Sequence, residues 1–255
     1  MIQIRSLTFN YSGHAPIFQA FNWTLNRGET WAIIGSSGCG KTSLLYLLAG
    51  LLKPTSGEIL IDGEAIHRPR PGTGLILQEY GLLPWSTVKQ NAELGLRVHN
   101  FYGPDGRHAP QTGRASMDIM PWLERLGIAH LADKYPSQIS GGQRQRTAIA
   151  RTLALRPDVL LMDEPFSSLD AVIREDLQAL TLELCREQGI TLIMVTHTIE
   201  EAAMMGKKIL LLGTPPNTVL KVFENAQSGS AEFRHTTEYL EMCKTLRKEL
   251  GNETS

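Results

Sequence analysis

The residues best suited to chemistry are Gly35, Ser36, Ser37, Gly38, Cys39, Gly40, Lys41 and Thr42, which fit the pattern GxxxxGK[ST]. Closely spaced glycines let successive backbone N–H groups converge on phosphate oxygens, Lys41 is placed to reach the β and γ phosphates, and Thr42 supplies a hydroxyl suited to Mg2+. The loop follows an apolar run ending at Ile34 and opens another, Ser43-Leu-Leu-Tyr-Leu-Leu. It therefore joins a buried strand to a helix N-terminus, where partial positive charge favours anions. Nucleotide binding is the expectation. Cys39 has no histidine near it in sequence and is expected to fill space in the loop rather than act as a nucleophile.

Val159-Leu-Leu-Met-Asp-Glu-Pro165 is an apolar run ending in two carboxylates. Charges at the end of a buried strand must leave the core or meet a cation. Asp163 suits a Mg2+ shell, and Glu164 is placed to polarise an attacking water. His197 and Gln78 each follow another apolar run, beyond strand ends where ligands bind in open α/β sheets; a lone residue of either type is as often structural. A second glycine turn, Ser140-Gly-Gly-Gln143, opens a helix that runs on to Leu155. Ser140 is suited to cap that helix, and Gly141 and Gly142 would let a phosphate approach the backbone.

These groups need a scaffold, and the hydrophobic periodicity supplies one. Ile2 and Ile4, then Leu7, Phe9 and Tyr11, alternate with a change of phase that predicts a bulge, and Phe21, Trp23 and Leu25 alternate likewise. Trp31–Ile34, Val159–Met162 and Leu192–Val195 are short continuous apolar runs, the pattern of parallel strands covered on both faces. Helical stretches between them predict an α/β core, with a helical subdomain inserted over about 81–157. Within that subdomain His99–Gly113 reads as a polar surface loop. Thr236–Leu250 predicts an amphipathic helix with Tyr239, Leu240, Cys243, Leu246 and Leu250 on one face.

At 255 residues with 42% hydrophobic content, the chain can bury a sizeable core. Its 25 basic and 26 acidic residues balance to −1, which gives no electrostatic footprint for nucleic acid or a polybasic anchor. Three scattered cysteines without a CxxC pair favour a reducing compartment. No apolar run approaches the roughly eighteen residues of a membrane span, so work at a membrane requires another subunit.

Together these pieces resemble the ATP-binding subunit of ABC transporters, over roughly residues 1–213, with 214–255 as a C-terminal extension. Ser140-Gly-Gly-Gln143 resembles the family's signature motif, with Ile139 where leucine is commoner. Tyr11 resembles the aromatic residue that stacks on adenine, Gly35 to Thr42 and the adjoining Ser43 the phosphate loop, and Gln78 the Q-loop, which also contacts the metal. Asp163 and Glu164 resemble the Mg2+ aspartate and catalytic glutamate, Ser167-Ser-Leu-Asp170 the D-loop, and His197 the switch histidine. The resemblance implies a P-loop ATPase core with an antiparallel β subdomain and an inserted helical subdomain, binding ATP and Mg2+. It implies a head-to-tail pair, either a homodimer or one with a paralogous subunit, in which each signature serine and glycine closes over the other copy's γ-phosphate. It further implies transmembrane permease subunits, an extracytoplasmic solute-binding protein, and a peripheral place on the cytoplasmic side of the membrane.

Gln78-Glu-Tyr-Gly-Leu-Leu-Pro-Trp85 is similar to the segment in importers of nitrate, sulfonates and taurine, and Pro84 and Trp85 are suited to dock a permease helix. Thr198, where aspartate often follows the histidine, and Gly206-Lys-Lys208 depart from the pattern and leave the solute open. A soluble ATPase of the same family not coupled to transport is the alternative. Such proteins usually carry a coiled-coil insertion or two cassettes, and this chain shows neither.

Overall fold

The computed structural model describes residues 1–102, 118–230 and 232–253. Along the chain β1 (Ile2–Phe9), β2 (Phe18–Leu25), β3 (Thr30–Gly35), α1 (Lys41–Leu48), β4 (Ser56–Ile61), β5 (Glu64–Ala65) and β6 (Thr73–Ile76) come first. Three helices follow, α2 (Val88–Tyr102), α3 (Met120–Arg125) and α4 (Gly141–Leu153). The second half runs β7 (Val159–Asp163), α5 (Ala171–Gln188), β8 (Thr191–Val195), α6 (Ile199–Met205), β9 (Lys208–Leu212), β10 (Lys221–Glu224) and α7 (Thr237–Glu253).

An antiparallel sheet in the order β2-β1-β4-β5 faces a larger sheet in the order β10-β9-β3-β8-β7-β6, parallel except for β10. The α/β fold expected from the apolar runs is therefore present. In β1 the pairing register shifts between Ile4 and Leu7, with Ser6 at φ 47, so the bulge returns Leu7 and Phe9 to the buried face.

The parallel strands are buried on both faces because each feeds two cores. Val159 and Leu161 of β7 pack with α1 and the antiparallel sheet, while Leu160 and Met162 pack with α4 and α5. This is the period-two alternation of a strand, applied to a run with no polar face. Leu44, Leu45, Leu47 and Leu48 of α1 are buried between the sheets, each contributing roughly 1.5–3 kcal/mol. The helix that presents the phosphate loop is thus held by the core itself.

Four neighbouring strands, β3, β8, β7 and β6, run parallel. Their C-terminal ends therefore bring Gly35, Val195, Asp163 and Ile76 to one edge, and the phosphate loop and the turns carrying Gln78, Glu164 and His197 leave from there.

Three expectations need adjustment. Of the loop expected over His99–Gly113, the first residues are helical instead, since α2 continues through Tyr102; residues 103–117 lie outside the described residues. Leu240 is 55% exposed, off the face where Tyr239, Cys243 and Leu246 are buried. Past residue 213 the main sheet continues, because β10 pairs with β9 and α7 packs beside Ala32, Ile34, Ile209 and Leu211.

Candidate functional site

The loop after β3 is built to present N–H groups. Gly40 caps α1 in the left-handed region (φ 107, ψ 11), and no side chain caps the helix. The N–H groups of its first turn are left for a ligand, at the positive end of the helix dipole. Ser37 and Gly38 are exposed, and no atom lies within 4 Å of where a Cβ on Gly38 would stand. A phosphate has room there. Lys41 Nζ donates to the carbonyls of Gly35 and Ser36, both at 2.9 Å, so the ammonium lies across the loop it would neutralise. Cys39 is buried, and burial pushes its thiol up, which suits a packed residue and not a nucleophile.

Tyr11 stands beside this loop. Its hydroxyl is 3.0 Å from Ser43 Oγ, its edge meets Phe9 at 5.1 Å between centroids, and it is exposed. The arrangement leaves an aromatic surface next to the cradle.

Asp163, at the end of β7, is 6% exposed and accepts a hydrogen bond from Thr42 Oγ1 at 3.2 Å. Burial raises its carboxyl above its ordinary 3.8, so a cation would find a carboxylate poor in other partners. Among the described residues no three His, Cys, Asp or Glu side chains cluster as a metal cage. A hydroxyl and one carboxylate are instead the kind of sparse oxygen set that Mg2+ uses when phosphates and waters complete its shell.

Glu164 adopts φ 45, a left-handed conformation that is uncommon for a residue with a side chain. The edge of the sheet enforces it, since the Glu164 N–H donates to the carbonyl of Val195 in β8 at 2.9 Å. The turn sends the carboxylate toward two other loops. Glu164 Oε2 lies 3.0 Å from His197 Nδ1 and accepts from Gln78 Nε2 at 3.3 Å. Gln78, Glu164 and His197 are therefore brought together, and the carbonyl oxygen of Gln78 is the atom left for a metal.

The second glycine turn forms a complete capping box. Ser140 Oγ accepts the Gln143 N–H at 3.3 Å, and Gln143 Oε1 accepts the Ser140 N–H at 2.9 Å. Because the serine oxygen accepts, its own O–H proton stays available to an outside acceptor. Gly142 reads differently in the structure than in the sequence. A Cβ there would stand 2.6 Å from Ile173 Cγ2, so this glycine lets α4 approach α5 and does not face outward. At Gly141 the nearest atom is Leu169 Cδ2 at 3.3 Å. Asp170 caps α5, its Oδ1 accepting the Ile173 N–H at 3.0 Å. A cleft of about 630 Å3 is bordered by Gln78, Tyr80, Gly141, Arg144, Ser167 and Ser168. The residues lining it include none of Gly35–Thr42.

Supporting groups appear that no motif marks. Glu201, 3% exposed, accepts from Thr196 Oγ1 at 2.6 Å, and that same hydroxyl accepts the Thr198 N–H at 3.0 Å. Both neighbours of His197 are thereby fixed. Burial pushes the Glu201 carboxyl up, and Arg174 Nε is 3.8 Å away. An acid four residues after the histidine was the only available signal, and Glu200 beside it looks the same in sequence. Arg151 of α4 donates to the carbonyls of Tyr80 and Gly81, both at 2.7 Å, tying the turn after Gln78 to the helix that begins at the second glycine turn.

Comparison with known proteins gives this geometry a family. The family described as ABC transporter matches residues 18–167. The nitrate import ATP-binding protein NrtC of Synechococcus elongatus is 40% identical over 230 residues, covering 88% of this chain and 33% of that protein. The chain thus spans about a third of that relative's length. The aliphatic sulfonates import ATP-binding protein SsuB of Bacillus cereus is 38% identical over 214 residues, covering 84% of this chain and 80% of that protein. A solved ATP-binding cassette, dimeric, in a post-hydrolysis state and bound to ADP and Pi, matches with a TM-score of 0.71 at 28% identity, covering 88% of this chain and 98% of that one. With loop, carboxylates, histidine and second glycine turn arranged as described, the chain belongs to the ABC transporter family as an ATP-binding protein.

Proposed function

We propose that this chain hydrolyses ATP to power solute import through a partner permease, acting as one of two head-to-tail copies, or with a paralogue, at the cytoplasmic face of the membrane. The observation that carries the reading is the Glu164 carboxylate, held between His197 Nδ1 and Gln78 Nε2 one residue beyond the Asp163–Thr42 pair. A carboxylate so fixed is placed to accept a proton from a water attacking the γ-phosphate. A magnesium ion held by Thr42, Asp163 and Gln78 would neutralise charge on the β and γ phosphates.

The Ser140 hydroxyl and the N–H groups at the start of α4 are the donors for a second copy's γ-phosphate, and Asp170 belongs to the loop facing that copy. The dimeric, ADP-bound relative supports this arrangement. Among the described residues no helix is long and apolar enough to cross a membrane, and we assign the permease to partner subunits. Trp85, 72% exposed at the end of the Gln78–Trp85 segment, is the docking residue we assign to it. The import roles in the names of the nitrate and sulfonate relatives point to a small anion of that kind as cargo, delivered by an extracytoplasmic binding protein.

Phosphate release from MgATP by the purified protein tests the reading. Glu164→Gln keeps size and backbone while removing the base. It should abolish release and accumulate an ATP-held dimer on size exclusion. Turnover equal to wild type would refute the assignment.

A further inference from the structure

Asn217 lies outside the family match and outside every motif, on the segment between β9 and β10, yet it is 5% exposed and both ends of its amide are used. Its Nδ2 donates to the Cys39 carbonyl at 2.9 Å and to the Ile17 carbonyl at 3.2 Å. Its Oδ1 accepts the Gly213 N–H at 3.0 Å. The backbone joins in, with the Asn217 N–H donating to the Ile17 carbonyl at 2.8 Å and its carbonyl accepting the Gln19 N–H at 3.0 Å. One side chain thus knits the start of β2, the end of β9 and the phosphate loop.

The bond to Cys39 has a directional consequence. In a planar trans peptide the carbonyl and the following N–H point in opposite directions. Drawing the Cys39 carbonyl back onto Asn217 turns the Gly40 N–H away from that brace. Gly40, at φ 107, tolerates either orientation of this peptide, because a residue without Cβ populates both sides of the map. The loop's own sequence therefore does not choose. A Cβ at Gly40 would collide with Ile17 and Phe18, so the loop rests against the strand start that Asn217 also holds.

We infer that Asn217 is a positioning residue for nucleotide binding: it locks the Cys39–Gly40 peptide so that the Gly40 N–H faces the phosphate and the Cys39 carbonyl does not. Without it the flipped peptide would aim a carbonyl oxygen at phosphate oxygens. This rests on the phosphate-loop reading above, and the test separates the two.

Calorimetric titration of the full chain with MgATP compares wild type, Asn217→Ala and a matched control, Asn225→Ala. Asn225 is also 5% exposed, and its Nδ2 donates to the carbonyls of Ala203 at 2.7 Å and Gly206 at 2.9 Å, with no link to the phosphate loop. Asn217→Ala should weaken MgATP binding about five- to thirtyfold. Asn225→Ala should lower the melting temperature comparably and leave affinity within about twofold, the scatter expected of distant independent sites. Affinity of Asn217→Ala within that margin of wild type, or equal weakening by Asn225→Ala, would overturn the proposal.

If Asn217→Ala does not fold, Asn217→Asp is titrated instead. It keeps the shape and the acceptor for Gly213, but its carboxylate repels the Cys39 carbonyl, and the same weakening is expected. Failure of both variants to fold would mark the residue as a fold determinant and equally overturn the assignment. A wild-type chain that does not bind MgATP would instead sink the phosphate-loop reading, whatever the variants do.

Discussion

Gly142→Ala separates packing from phosphate contact at the second glycine turn. The added Cβ would stand 2.6 Å from Ile173 Cγ2, against an optimal carbon–carbon separation of about 3.5–4.0 Å. About 1 Å must be found. Ile173 cannot yield freely, because its N–H is held by Asp170 in the first turn of α5. Overpacking of this kind costs about 1–3 kcal/mol, and alanine returns about 0.5–1 kcal/mol of helix propensity over glycine. The difference spans about 0–2.5 kcal/mol and centres on about 1–2 kcal/mol, a fall in melting temperature of roughly 2–8 °C for a chain of this size. Gly141→Ala meets nothing closer than 3.3 Å, so its stability should match wild type or rise slightly while ATP turnover falls. Differential scanning calorimetry of the nucleotide-free protein reads the first effect and phosphate release the second. Adding Ile173→Ala to Gly142→Ala should show a favourable coupling of about 0.5–3 kcal/mol. An unchanged or raised melting temperature for Gly142→Ala would refute the close approach of α4 to α5.

Lys41→Ala removes an ammonium that donates to Gly35 and Ser36 and is placed to reach phosphate; the loss of a charged hydrogen bond should weaken MgATP binding about ten- to hundredfold by calorimetry. Asp163→Asn should raise the melting temperature of the nucleotide-free protein at neutral pH, with a gain on the order of 1 kcal/mol, and abolish Mg2+-dependent turnover. The sign follows from burial: a carboxyl raised above 3.8 in the folded state contributes stability fully below that value and loses it as pH rises through its folded value. The variant's advantage should therefore vanish when the comparison is repeated below about pH 3.8, the unfolded value, and an advantage that persists there would contradict a burial origin.

The parallel strands were legible because continuous apolar runs leave few alternatives once glycine and charged residues bound them. The bulge in β1 was legible too, since Ile4 and Leu7 cannot share a face without an added residue. Leu240 misled because a helix advances about 100° per residue: Tyr239, Cys243, Leu246 and Leu250 define a stripe, and a neighbour one step away falls on either side according to how α7 meets the sheet. The packing of Gly142 on Ile173 was not legible for a related reason. A glycine pair says that two side chains are absent, not which of them faces a neighbouring helix. Arg151 and Asn217 were invisible because each acts across a large sequence separation on backbone carbonyls, partners that carry no residue-type signal, whereas Glu201 lies only five residues from the Thr196 hydroxyl it accepts from and could not be told from its neighbour Glu200.

In the proposed head-to-tail pair, the placement of these groups would explain why two copies act together. Each chain offers a cradle with open N–H groups at Gly40 and the start of α1, and a separate donor set at Ser140 and the start of α4, where the capping box uses the serine oxygen as acceptor and leaves its proton to another partner. The cleft beside Gly141 is lined by Gln78 but by no residue of the phosphate loop, which fits a second donor set that serves the other copy's nucleotide. Converting a pair of chains from mostly open to mostly closed takes about 5.5 kcal/mol, and a hydrogen bond to a charged group contributes roughly 1.5–3 kcal/mol. Two to four such bonds suffice. A single γ-phosphate facing one serine and one or two N–H groups reaches only the lower part of that range, whereas two sites related by a two-fold axis reach it with margin. In the proposed pair closure would therefore be secure only with both nucleotides in place, and cleavage of one phosphate would leave it marginal.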